Sequence, residues 1–148
     1  MPRYVVTVKS PRSPEEAFAY MADLTNFEQW DPGVGAARQV HGEGIGLGSA
    51  YDVDVKGVVG SLTLRYEITA FDEPTRFVAE ARSATLTSVD TISVAADGDG
   101  STVTYDAELT LNGLLGLANP FLGIAFKVTG DRAAAGLVAA LDGERVSA

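Results

Sequence analysis

The spacing of hydrophobic and polar positions changes along the chain, and each change marks an element. Tyr4, Val6 and Val8 alternate with Val5, Thr7 and Lys9, the period of two expected of a half-covered strand ending near Ser10. Ser13-Pro14-Glu15-Glu16 then sets a hydroxyl at a helix N-cap, proline at the first helical position and a carboxylate three residues after the cap. Ala17, Phe18, Met21 and Leu24 follow at helical spacing. Thr25-Asn26-Phe27-Glu28 predicts a second helix start, carrying Phe27 and Trp30 until Pro32-Gly33 ends it.

From Val34 to Asn112 the period returns to two. Glycines 44, 46 and 48, the Lys56-Gly57 to Gly60 segment, Glu73-Pro74-Thr75 and Asp97-Gly98-Asp99-Gly100 separate the runs, giving six strands in a meander. Tyr51, Val53 and Val55, then Leu62, Leu64, Tyr66 and Ile68, then Val103, Tyr105, Ala107, Leu109 and Leu111 define the covered face. The remainder is rich in Leu and Ala and predicts a long helix from about Leu114, broken near Pro120, to about Arg145. Gly116, Gly123 and Gly130 recur every seven residues and leave one stripe of it bare, for the close approach of a neighbour or as room for something else. One strand, two short helices, six strands and a long helix make an antiparallel α+β fold, with the sheet wrapped round the last helix. Such a sheet exceeds what one helix can fill, so a cavity is expected between them.

Composition narrows the picture. A chain of 148 residues, 46% hydrophobic and 21% charged, is expected to form a single domain over residues 1–148. With no cysteine, disulfides, thiolate nucleophiles and Cys-ligated metals drop out. Eleven basic against twenty acidic residues leave a formal charge of -9, which repels phosphate backbones and argues against nucleic acid. Met1-Pro2-Arg3-Tyr4 has no secretory character, so a cytoplasmic location is expected. The low-charge stretch Leu114 to Val128 is shorter than the ~20 residues of a membrane span and needs cover from protein.

Three segments carry a family resemblance: Ser13-Pro14-Glu15-Glu16-Ala17-Phe18-Ala19-Tyr20, Asp23-Leu24-Thr25-Asn26-Phe27-Glu28-Gln29-Trp30-Asp31-Pro32-Gly33-Val34, and the turn Gly100-Ser101-Thr102-Val103-Thr104-Tyr105. Together with the element order they resemble the START-like (SRPBCC) helix-grip superfamily, and within it the polyketide cyclase/dehydrase group of small bacterial proteins. The resemblance implies a curved seven-stranded sheet gripping the last helix, with the two short helices closing one end of a deep pocket. It also implies ligands such as lipids, sterols, polyketides or plant hormones, and in some members cyclisation or dehydration. The matched residues are a cap, aromatics and turns, so the group's name does not make this chain a catalyst.

Strand phase selects the candidate residues. If Gly98-Asp99 or Asp99-Gly100 is a two-residue turn, paired positions sum to an odd number, and Ile92 and Val94 share a face with Val103 and Tyr105. Ser88 and Asp90 then join that face. There Asp90 is the candidate general acid or base, or the group that orients a ligand hydroxyl, its pKa raised by burial unless a partner compensates, whereas a slip of one residue or a bulge turns it to solvent. Tyr51, Tyr66 and Tyr105 are candidate hydrogen-bond donors to a ligand or, equally, core aromatics. Trp30 lies at the expected pocket mouth, as ligand wall or seal. Phe121, with Leu122, Ile124 and Phe126, belongs to the apolar helix, as ligand contact or as a surface for a second copy of the chain. His41 is expected at the surface, and one histidine makes no metal site. Asp52, Asp54, Asp97 and Asp99 fit a solvated face. No hydrolase, zinc, phosphate-loop or EF-hand motif is present, and neither metal nor cofactor is expected. Three readings follow: a binder of a small hydrophobic molecule, a cyclase or dehydratase using Asp90 and a tyrosine, and an interaction module or homodimer.

Overall fold

The computed structural model describes residues 3–57, 60–84, 86–112 and 119–147, without the side chains of residues 57, 60, 61, 119–126 and 147. Strand β1 (Arg3–Ser10) is followed by helix α1 (Pro14–Ala22), a single 3-10 turn (Leu24–Asn26) and helix α2 (Phe27–Trp30). Six strands come next: β2 (Val34–His41), β3 (Ala50–Gly57), β4 (Gly60–Asp72), β5 (Arg76–Arg82), β6 (Leu86–Asp97) and β7 (Gly100–Leu111). Helix α3 (Asn119–Ala140) and strand β8 (Glu144–Ser147) complete the chain. All pairings are antiparallel, in the order β2-β3-β4-β5-β6-β7-β1-β8.

The α+β class and the six central strands agree with the reading of the sequence, but the sheet has eight strands rather than seven. The C-terminal helix stops at Ala140 instead of running to Arg145. Asp142 takes a positive φ of 52° and the Gly143 amide donates to the Val138 carbonyl, so the chain reverses within one turn. Gly143 lies so close to the Lys9 carbonyl that a β-carbon there would collide with it. Residues 144–147 can therefore pair with β1. Pro120 is the second residue of α3, where its missing amide is harmless, and does not break the helix. The expected helical stretch 114–118 lies outside the described residues.

Helix α1 starts as its sequence dictates: Ser13 Oγ accepts from the Glu16 amide at 3.1 Å. The second start is different, because Asp23 caps the 3-10 turn that leads into α2, and the N-cap of α2 itself, Asn26, makes no side-chain cap bond. The Asp23 carboxylate accepts from the Thr25 amide at 3.1 Å and the Thr25 hydroxyl at 2.6 Å.

The core has two ends. At one, Phe18 of α1 meets Phe71 and Phe77 edge to face, at 5.3 and 5.6 Å. Phe71 reaches this side because the register between β4 and β5 shifts after Ile68, reversing the alternation that Leu64, Tyr66 and Ile68 establish. At the other end, Trp30 stacks on Phe27 at 4.7 Å and meets Tyr105 edge-on at 5.2 Å, while Phe27 meets Tyr66 at 6.2 Å. Helix α3 packs close to both α2 and β1: a β-carbon on Gly136 would strike the Trp30 carbonyl, and one on Gly130 the Tyr4 ring. Among the described residues no helix is long and apolar enough to cross a membrane.

Candidate functional site

Strands β6 and β7 are joined by the two-residue turn Gly98-Asp99, with Gly98 at a φ of 61° and Asp97 facing Gly100. Each paired couple thus sums to an odd number. Ile92 faces Tyr105, Asp90 faces Ala107 and Ser88 faces Leu109. On the other flank Asp90 faces Ala79 of β5 and Ser88 faces Ala81. Ser88, Asp90, Ile92 and Tyr105 therefore share the covered side of the sheet, and all four are buried.

The alanines matter to this arrangement. Ala79 and Ala107 flank Asp90 with one methyl each, so the acid stands in a low stretch of the sheet surface. Ala81 separates Tyr66 from Ser88 along one rung, and the Tyr66 hydroxyl crosses over it to donate to Ser88 Oγ at 2.8 Å. Tyr105, diagonal to Asp90, brings its hydroxyl to 3.5 Å from Asp90 Oδ2. Asp90 Oδ1 accepts no hydrogen bond from the described residues.

Burial is the main influence on the charges. It pushes the Asp90 pKa up to about 8; the charge of Asp31 adds to this and the Tyr105 hydroxyl opposes it. At neutral pH Asp90 is then predominantly the uncharged acid. Tyr66 and Tyr105 are raised well above the ordinary phenol value, first by burial and next by Asp90, so both remain donors.

Asp31, just beyond α2, is a further candidate that pattern reading misses. Its charge acts on Asp90, Tyr66 and Tyr105 alike, which places it in range of the whole cluster. Burial raises its own pKa, and the Gly33 amide, donating to Oδ1 at 2.8 Å, offsets part of that rise. The available signal was the Trp30-Asp31-Pro32-Gly33 string, in which an aspartate beside a buried tryptophan accepts from the amide two residues on.

The remaining candidates are dispersed. Tyr51 is fully buried, but its hydroxyl turns to the Gly44 carbonyl at 3.5 Å, toward the loop between β2 and β3. Trp30 is buried between Phe27 and Tyr105. The side chain of Phe121, like those of Leu122, Ile124 and Phe126, lies outside the described residues. His41 is exposed. Two concavities formed by described residues lie elsewhere. One of about 500 Å³ adjoins the β6–β7 turn, and one of about 570 Å³ lies on the outer sheet face around Arg65, Glu67 and Arg82.

The architecture has known counterparts. A START superfamily protein from Mycobacterium smegmatis aligns at a TM-score of 0.77 and 14% identity, covering 95% of this chain and 97% of that one. The protein TTHA0849 from Thermus thermophilus aligns at 0.75 and 16%, covering 92% and 94%. The di-domain aromatase/cyclase BexL of the BE-7585A biosynthetic pathway aligns at 0.66 and 14%, covering 91% of this chain and 48% of its own. At these identities the likeness establishes the fold. No curated protein matches the sequence. The family described as polyketide cyclase / dehydrase and lipid transport matches residues 1–142, nearly the full length, and the chain is a member of that family.

Proposed function

We propose that the chain binds a small hydrophobic molecule between the sheet and α3, with the polar end of that molecule at Asp90 and Tyr105. The observation that carries this reading is the placement of Asp90: a buried acid on an apolar wall, flanked by Ala79 and Ala107, with one oxygen that accepts nothing from the described residues. Apolar area around the site supplies affinity, and the acid and phenols fix orientation. Native mass spectrometry after mild purification, with a thermal-shift screen of lipids and polyketides, tests it. A retained small molecule, or a ligand that raises the melting temperature in proportion to the logarithm of its concentration, is expected. A chain that emerges empty and is stabilised by nothing in the screen refutes the reading.

The cyclase/dehydratase alternative is favoured by one specific feature, the proton that Asp90 holds at neutral pH beside the Tyr105 hydroxyl. In that reading the uncharged acid donates a proton to a leaving hydroxyl or to a carbonyl oxygen, and Tyr105 steadies the developing charge. Turnover would then fall with rising pH as Asp90 ionises, and Asp90→Asn would abolish turnover while sparing binding. Turnover indifferent to both changes refutes this assignment.

A further inference from the structure

We infer that the molecule held here is a hydrophobic amine, bound as its ammonium ion between the Asp90 and Asp31 carboxyls and against the aromatic faces of Trp30, Tyr105 and Tyr66. The inference rests on the binding reading above and adds the chemical class of the ligand.

Three observations carry it. The first is the lack of a protein cation: every ion pair among the described residues uses acids other than Asp31 and Asp90. The groups acting on Asp90 are Asp31 beyond α2, Tyr105 and, more weakly, Asp106 of β7; Tyr66 of β4 stands on the same face. All are acids or phenols. The second is open acceptor capacity: Asp90 Oδ1 and Asp31 Oδ2 each accept nothing from the described residues. The third is the wall. Phe27, Trp30, Tyr66 and Tyr105 form a connected aromatic group with centroid spacings from 4.7 to 6.2 Å, and ring faces attract cations.

Alternative ligands fit less well. A fatty carboxylate would bring negative charge to a site lined by two carboxyls and no described cation, within a protein of net charge -9. A neutral alcohol or ketone satisfies Asp90 but leaves Asp31 without a counter-charge. An ammonium group brings three donors and a charge for both. Its binding is balanced by a proton: the ammonium ion meets the protonated Asp90, the carboxylate forms, and one proton passes to solvent. Affinity should accordingly rise about tenfold per pH unit up to about pH 8, level off once Asp90 is ionised already, and fall again where the amine itself deprotonates near pH 10.

The experiment compares decylamine, decanol and decanoate, each below its micellar concentration, by titration of Trp30 fluorescence at pH 6, 7 and 8 on the wild-type protein. Calorimetry in two buffers of different ionisation enthalpy counts the protons. The expected result is that decylamine binds most tightly and tightens about tenfold from pH 6 to 7, releasing close to one proton, while decanoate binds weakest. Decanol binding as well as decylamine, with no pH dependence, overturns the amine assignment and leaves the binding reading intact. Failure of all three probes removes both. Asp31→Asn adds a second arm, since it should cut the preference for decylamine over decanol; an unchanged preference in the folded variant removes Asp31 from the site.

Discussion

Replacing Asp90 by asparagine keeps the size of the side chain and an acceptor for Tyr105 but removes the titration. In the folded chain the carboxyl holds its proton up to about pH 8, whereas the unfolded chain releases it near 3.8. Over that interval the folded state binds more protons, which fixes the sign. Stability from this group is complete below about pH 4 and is lost as pH rises toward 8, by about 1.4 kcal/mol per pH unit. Between pH 5 and 7 the parent should lose roughly 3 kcal/mol that the asparagine variant keeps. Urea unfolding at pH 5, 6 and 7, followed through Trp30, the only tryptophan, measures the difference. Asp52 and Asp131, held below the usual carboxylate range chiefly by hydrogen bonds from Arg65 and Tyr4, titrate the opposite way. Both are common to the two proteins and cancel. A difference between variant and parent that stays flat from pH 5 to 7 would mean that Asp90 is solvated or paired, and the account of the site would fail.

Tyr66→Phe and Ser88→Ala should each lower stability by about 1–2 kcal/mol, and the double variant by less than the sum, because both remove one buried hydrogen bond; denaturant midpoints of the four proteins decide it. Gly136→Ala drives a methyl into the Trp30 carbonyl and should destabilise by about 1–3 kcal/mol with a shift in tryptophan emission, whereas an unchanged spectrum would show that α3 does not rest on α2 there. Ser13→Ala removes the acceptor for the Glu16 amide and should cost about 1 kcal/mol, read from the melting temperature.

How much of this was legible in the sequence depended on how far each contact lies along the chain. The covered face of β6 and β7 follows from two residues, Gly98-Asp99, because a tight turn fixes register for the whole hairpin and with it the inward side of Asp90. The cap of α1 is equally local. Phe71 could not be placed, since the alternation of Leu64, Tyr66 and Ile68 gives no sign of the register shift that follows Ile68. Strand β8 was hidden because four residues of mixed polarity carry no period; it exists because Gly143 fits against the Lys9 carbonyl, a contact spanning the chain. Asp31 had only the local Trp30-Asp31-Pro32-Gly33 string to mark it; the docking of Trp30 on Tyr105, a contact between distant segments, brings it toward the Asp90 cluster.

Nothing in the packing calls for a carboxyl on the rung between Ala79 and Ala107. An apolar side chain there would be buried without the desolvation that raises Asp90, and the two alanines leave it room. The Tyr66–Ser88 pair is different: donor and acceptor satisfy each other, as a core requires. The distinction separates the polar groups of the inner face into those that the fold accounts for and those it does not. Asp90, with an open oxygen and a long contact to Tyr105, and Asp31, with half its carboxyl uncommitted, fall in the second group. A single buried acid of this kind is tolerable as a neutral group, but the charge of the half-buried Asp31 makes Asp90 harder still to ionise, and no described lysine, arginine or histidine relieves it. The arrangement is therefore weakest as a scaffold at the pH where it is best prepared to receive a partner, and the partner that would relieve it most brings positive charge.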